Sequence, residues 1–430
     1  MVTDRKAVVT GLGVVAPNGL GTRDYWAATL AGRSGIGRVT RFDPSSYPAR
    51  LAGEVPGFTA KDHLPSRLLP QTDHMTQLSL VAADWALADA GVRPDELSGF
   101  DMGVVTASSS GGFEFGQNEL RALWRKGSKY VSAYQSFAWF YAVNTGQISI
   151  RNGMQGPSAA LVSDHAGGLD AIAQARRQIR KGTSVAVTGA VDASICSYGW
   201  ISQLASGRVS TADDPARAYL PFDADARGYV PGEGGALLIL EDAETAAERG
   251  ARVYGEIAGY ASTFDPKPGS GREPALRRTI ELALADADLA AADIDVVFAD
   301  AAGEPGLDRV EADAITAVFG PRGVPVTAPK TMTGRLYSGA APLDVAAALL
   351  SITDGLIPPT VNTSPDPDYA LDVVVGRPRP EPPRSALVLA RGYGGFNSAL
   401  VVRAACGETG EMNEGDHHPG TDDDPARVRR

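Results

Sequence analysis

Strand-like and helix-like segments alternate along almost the whole of this 430-residue chain, and after about residue 255 the alternation begins a second time. Each segment is short, apolar and bounded by small or turn-forming residues. None can bury its apolar face alone, so the stable arrangement is helices layered on a sheet, an α/β fold. In the first round Lys6 to Val15, Met102 to Ala107, Ser184 to Thr188 and Ala236 to Glu241 read as strands. Met75 to Ala90 carries Leu78, Leu80, Val81, Trp85 and Leu87 at helical spacing, with Gly91 as a stop. In the second round Val253 to Tyr260, Ile294 to Ala299 and Val324 to Ala328 read as strands, and Pro274 to Ala287, Arg309 to Phe319 and Asp344 to Ile352 as helices. Ala386 to Arg391 and Ala399 to Arg403 form a closing hairpin. A mostly parallel sheet built from two similar halves, residues 1–254 and 255–406, is the expected result.

Acidic residues outnumber basic ones 51 to 40, a net charge of −11, which argues against nucleic acid or an anionic membrane as partner. No apolar run approaches the roughly 20 residues that a membrane span requires. Met1 to Lys6 runs straight into a strand without the layout of a signal peptide. Two cysteines, Cys196 and Cys406, suit a reducing compartment, so a cytoplasmic location is expected. The tail from Gly407 to Arg430 holds seven acidic residues against three arginines and almost no apolar side chain. Disorder is expected there, and the His417-His418 pair reads as solvated rather than metal-binding.

One turn stands out chemically. Ala159 to Val162 reads as a buried strand and Leu169 to Arg180 as a helix, with Ser163-Asp164-His165-Ala166-Gly167-Gly168 between them. A strand, a small-residue turn and a helix N-terminus together seat a reactive side chain, because the helix's free N–H groups stabilise a thiolate or an oxyanion. This turn offers His165 and no cysteine. Two further features invite a reading. Phe113, Gly116 and Leu120 share one helix face at i, i+3, i+7. Tyr134, Phe137, Trp139, Phe140 and Tyr141 are too dense an aromatic run for a solvated face, so core or interface burial is expected, with interface dominant. Pro231-Gly232-Glu233-Gly234-Gly235 is glycine-rich but precedes an apolar strand and reads as a tight turn in which Glu233 holds structure.

Long ordered segments carry a family resemblance: GGFEFGQNELRALW (111–124), YQSFAWFYAVNTGQISIR (134–151), AYLPFDADARGYVPGEGGALLILED (218–242), APKTMTGRLYSGAAPLDV (328–345) and GYGGFNSALVV (392–402). Over roughly residues 5–405 the chain resembles the thiolase-fold β-ketoacyl synthases, and more closely the chain length factors of bacterial type II aromatic polyketide synthases. The resemblance implies two pseudo-duplicated α/β halves in a five-layered α-β-α-β-α architecture. Active members use a cysteine to hold the acyl chain and two histidines to polarise the thioester carbonyl and stabilise the enolate. Carried across, the cysteine falls on His165, the histidines on Ala302 and Arg335, and only Lys330 is retained.

The resemblance therefore implies a non-catalytic subunit that pairs with an active ketosynthase alpha subunit. Such a heterodimer condenses malonyl units into an aromatic poly-β-ketone. No cofactor of its own is implied, since phosphopantetheine arrives on the acyl carrier protein. The polyketide intermediate would extend into a tunnel at the subunit interface, lined by Phe113, Gly116 and Leu120, with the aromatic run 134–141 against the partner. Small Gly116 and non-aromatic Leu120 imply an open tunnel floor and a comparatively long product. Chain length factors usually carry glutamine where this chain has His165. As a nucleophile His165 would form a labile acyl-imidazole with no carbonyl-polarising histidine at Ala302, so it reads as a plug. In active members the loop at Gly392 to Gly395 supplies an oxyanion-hole amide and a gating aromatic; here Tyr393 is expected only to pack. The alternatives are a malonyl-carrier-protein decarboxylase or priming subunit using His165 with Lys330, and a carrier-binding scaffold that does not size the product.

Overall fold

In the computed structural model, residues 5–267 and 269–405 are described. Ten strands carry the fold. β1 (Ala7–Ala16), β2 (Met102–Ala107), β3 (Ser158–Leu161), β4 (Val185–Asp192) and β5 (Gly234–Asp242) belong to the first half. β6 (Gly255–Phe264), β7 (Val296–Phe298), β8 (Pro325–Thr327), β9 (Ser385–Arg391) and β10 (Phe396–Arg403) belong to the second. Their spatial order is β3-β2-β4-β5-β1 and then β6-β10-β9-β7-β8. Counted inward, the five strands of each half thus read third, second, fourth, fifth, first, and the two-residue strand Asp372–Val373 extends the second half outside β8. The strand directions repeat as well: second against third and fourth parallel, fourth against fifth and fifth against first antiparallel. A short antiparallel contact, Val8 opposite Glu256 and Val9 opposite Gly255, joins the halves. The duplication is therefore topological, strand by strand.

The sheet is mixed, not mostly parallel. Apolar periodicity reports burial but not strand direction, so the antiparallel return of the last two strands in each half is invisible to it.

Seven helices cover the sheets: α1 (His74–Ala90), α2 (Phe113–Lys126), α3 (Val143–Arg151), α4 (Gly167–Arg180), α5 (Leu276–Ala287), α6 (Pro305–Phe319) and α7 (Ala340–Asp354). The period-2 alternation of the strands sorts them into layers. On β5, Ala236, Leu238 and Leu240 face α4 and α7 while Leu237 and Ile239 face α1. On β9, Ala386, Val388 and Ala390 face the same central pair while Leu387 and Leu389 face α5 and α6. The result is five layers, α-β-α-β-α, with α4 and α7 in the middle. Each central helix follows the third strand of its half. α7 is buried from Ala340 through Ser351, and Asp344 is the one charged residue in that stretch. Among the described residues no helix is long and apolar enough to cross a membrane. The acidic tail with His417-His418, and Cys406, lie outside the described residues.

Candidate functional site

β3 ends at Leu161, and the chain turns through Asp164–Ala166 into α4 at Gly167. Asp164 takes a φ of 53°, the left-handed region that Asp tolerates better than most residues. Gly168 lies against the start of α7: a Cβ there would stand 2.3 Å from both Pro342 Cδ and the Ser338 carbonyl oxygen. The N-termini of the two central helices therefore meet beneath the elbow. Asp170, in the first turn of α4, accepts from the Ser163 hydroxyl, from Tyr260 Oη at 2.6 Å and from Ser398 Oγ at 2.5 Å. The elbow is thereby tied to the sheet of the second half.

His165 sits at the tip of this turn, 7 % exposed, edge-on to Tyr337 (centroids 5.4 Å apart) and Tyr229 (6.1 Å). Its Nδ1 lies 3.2 Å from Asp164 Oδ1 but makes no hydrogen bond. Burial, opposed in part by Asp164 and reinforced by Arg335, pushes its pKa down to about 4. The ring is neutral at neutral pH.

Ala302 and Arg335 complete the floor. Ala302 has no polar side chain. Arg335 is buried and paired with Asp300: Nη2 donates to Oδ1 at 2.9 Å, and Nη1 to Oδ2 at 3.1 Å and to the Asp300 carbonyl at 2.9 Å. Burial disfavours both charges. The Asp300 charge nonetheless holds Arg335 above its ordinary range, and Arg335 with Lys330 holds Asp300 down at about 2. Lys330 is spoken for in the same way, with Nζ 2.6 Å from Asp344 Oδ2 and donating to the Ala299 carbonyl. The two cations that resemblance places at the reacting centre are thus neutralised by buried carboxylates. Behind them Glu311 accepts the amides of Asp300 (2.6 Å) and Ala301 (2.8 Å), and burial with the neighbouring Asp300 charge raises it to about 7.

The floor opens into a cavity of about 860 Å³, within the range of small-molecule sites. Strained backbone gathers around it. Asp164 (φ 53°) and Tyr337 (φ 51°) line it, and Ala301 (φ 49°) lies between the lining residues Asp300 and Ala302.

His165, Ala302 and Arg335 are brought together at this cavity, with Lys330 just behind. Of the helix stripe only Phe113 reaches it, packed on Tyr198 at 5.0 Å. Gly116 and Leu120 lie elsewhere on α2. Leu120 is 48 % exposed, and a Cβ at Gly116 would meet Trp139 Cβ at 3.7 Å. The stripe therefore runs from the cavity onto the aromatic face. There Tyr134, Trp139, Phe140 and Tyr141 are exposed, and only Phe137 packs inward against the first-half core. Tyr393 is exposed above the cavity mouth with the Arg208 guanidinium 5.1 Å from its ring. Glu233 is fully buried in its turn and accepts from Arg41 Nη2 at 2.6 Å and the Val55 amide at 3.0 Å. Burial works against its charge, but His74, Arg41 and that amide outweigh it and hold Glu233 below its ordinary value.

Asp164, Asp300 and Asp344 escaped the sequence reading. Asp164 had a signal, an acidic side chain in the turn at a helix N-terminus. Asp300 and Asp344 had none, because pairing across elements leaves no local spacing.

The family described as "Beta-ketoacyl synthase, N-terminal domain" matches residues 4–246, and "Beta-ketoacyl synthase, C-terminal domain" matches residues 254–364. The chain belongs to the β-ketoacyl synthase family. Among its relatives is the tetracenomycin polyketide synthase ketoacyl synthase beta subunit of Streptomyces glaucescens, 62% identical over 92% of this chain and 98% of that protein. A 3-oxoacyl-acyl-carrier-protein synthase 2 of Synechocystis is 33% identical over 93% of this chain and 98% of its own length. The identity to the tetracenomycin beta subunit is nearly twice as high. Among solved structures, the ishigamide ketosynthase/chain length factor superposes with a TM-score of 0.86 at 29% identity, over 94% of this chain and 100% of that one. A type II acyl-carrier protein in complex with its ketosynthase bound to the hexaketide gives 0.84 at 29% identity, over the same 94% and 100%.

Proposed function

We propose that this chain is the non-catalytic chain length factor of a type II polyketide synthase. It pairs with an active ketosynthase alpha subunit, to which an acyl carrier protein brings the malonyl units, and it limits extension of the aromatic poly-β-ketone through the face carrying Phe113, Gly116 and Leu120. The observation that carries this reading is the elbow. Its setting is that of a nucleophile, yet it holds a neutral, ring-packed His165, with Ala302 and an internally paired Arg335 where carbonyl-polarising groups would be needed. The exposed aromatic face beside α2 supports a sizing surface completed by a partner. The beta-subunit and chain-length-factor names of its relatives point the same way.

The experiment is product mass from the chain co-expressed with a cognate ketosynthase and carrier protein. His165→Ala is expected to keep making polyketide of native length. Gly116→Thr/Leu120→Phe is expected to shorten it, and a Cβ at 116 meets Trp139 Cβ at an ordinary 3.7 Å. Loss of synthesis in His165→Ala with the complex still assembled would replace this reading with the decarboxylase or priming one. Unchanged length in the double variant would leave a scaffold that does not size.

A further inference from the structure

The glycine-rich loop 392–395 comes down directly on the elbow. A Cβ at Gly392 would stand 2.7 Å from the Ser163 carbonyl oxygen and 3.2 Å from Asp164 Cβ, so the approach requires glycine. At this contact the Tyr393 amide donates to Asp164 Oδ2 at 2.6 Å. The carboxylate's other oxygen lies 3.2 Å from His165 Nδ1, a buried ring nitrogen on the cavity wall that has no hydrogen-bond partner. Just beyond the turn begins the 14-residue α4, with the positive end of its dipole toward the elbow. An amide donor, a ring nitrogen and a helix N-terminus together make an anion site, and a tethered carboxylate fills it.

We infer that Asp164 is an internal occupant of that site. It stands where a carboxylate ligand or the carbonyl oxygen of an acyl thioester would be held, and it latches loop 392–395 onto the elbow. The Arg208 guanidinium lies 5.1 Å from the Tyr393 ring of the same loop. The inference rests on the non-catalytic reading above, which gives the latch its purpose. A cavity of about 860 Å³ with an open anion site would capture carrier-borne acyl thioesters that this chain cannot turn over, in competition with the active subunit. Filling the site from within removes that competition without collapsing the cavity.

Asp164→Gly tests this, because glycine accepts the left-handed backbone and removes only the carboxylate. Asp164→Asn tolerates the same backbone and keeps an acceptor without the charge. Hydrogen exchange of segment 392–395 is read on the full-length chain, together with binding of two probes, acetate and S-acetyl-pantetheine, by saturation-transfer NMR. In Asp164→Gly, exchange of that segment is expected to rise roughly tenfold to a hundredfold, the span of a charge-assisted hydrogen bond, with β4 unchanged. The variant then saturates with a probe that the native chain does not bind; acetate alone marks a carboxylate site, S-acetyl-pantetheine a thioester site. Asp164→Asn restores part of the protection. Unchanged exchange, or a native chain that binds the probes as well as Asp164→Gly does, overturns the inference. Should the glycine variant not fold, the asparagine variant decides by the same two readouts. Neither readout measures product length, so this inference and the proposed function fail separately.

Discussion

At the residue scale the centre of the molecule is a set of charges cancelled in place. His165 stays neutral because burial outweighs the attraction of Asp164, and this gives the fold a pH signature. The folded-state value, about 4, lies below the roughly 6.5 of an unfolded histidine. Between those values the unfolded chain binds the extra proton, so the stability tied to a neutral His165 is full above about pH 6.5 and is lost as pH falls toward 4. His165→Gln removes this titration. Denaturant unfolding at about pH 7.5 and about pH 5.5 should show native stability falling relative to the variant by about 1 kcal/mol between the two. Glu311, raised to about 7, runs the opposite way but is common to both proteins and cancels in the difference. An equal pH response of the two proteins would mean that the ring titrates as if exposed. The sequence placed His165, Ala302, Arg335 and Lys330 around one site through resemblance. That Asp300 and Asp344 neutralise the cations was not legible, because a buried ion pair is made by the fold rather than by local pattern.

At the element scale, most strands and helices were legible because each is a clean apolar run. The shifts at their ends have local causes. α7 begins at Ala340, four residues before the reading, because Ala340, Ala341 and Pro342 carry little apolar signal although all three are buried. α6 begins at Pro305 behind a Glu304 cap, where the reading began at Arg309. What no run discloses is how closely two elements approach, and the meeting of α4 with α7 is the sharpest case. Gly168→Ala gains up to about 1 kcal/mol of helix propensity but drives a Cβ to 2.3 Å from Pro342 and the Ser338 carbonyl, neither of which yields cheaply. Overpacking of this kind costs roughly 1–3 kcal/mol, so the clash wins and the variant should unfold earlier. Gly146→Ala in α3 is the matched control. Nothing lies within 4 Å of its new Cβ, so propensity alone acts and it should be neutral or slightly stabilising. If both substitutions behave alike in thermal unfolding, the close approach of the two central helices is not what constrains position 168.

For the whole molecule, the two outer edges of the twelve-stranded sheet are treated differently. One ends in the two-residue strand Asp372–Val373, beside the Arg379–Asp372 ion pair and a proline-rich stretch, the usual devices for blunting an edge. The other ends in β3, followed by Val162 at 53% exposure, and Ala159 to Val162 carries neither charge nor proline. Around it lie Trp139, Phe140 and Ile150, all exposed. An edge left unguarded beside exposed aromatic surface is an aggregation hazard unless a partner covers it, and in the proposed heterodimer that partner is the ketosynthase. A lysine at Val162 should therefore abolish co-elution of a co-expressed ketosynthase on size exclusion while leaving the chain's own unfolding temperature within a degree or two, because Val162 contributes little to the core. The same substitution at Val375, 46% exposed near the blunted edge, should leave the complex intact. The pair separates edge pairing from general surface charge. If the lysine at 162 still co-elutes while the one at 375 does not, the partner binds the opposite end of the sheet, and the sizing surface assigned to α2 would have no partner to complete it.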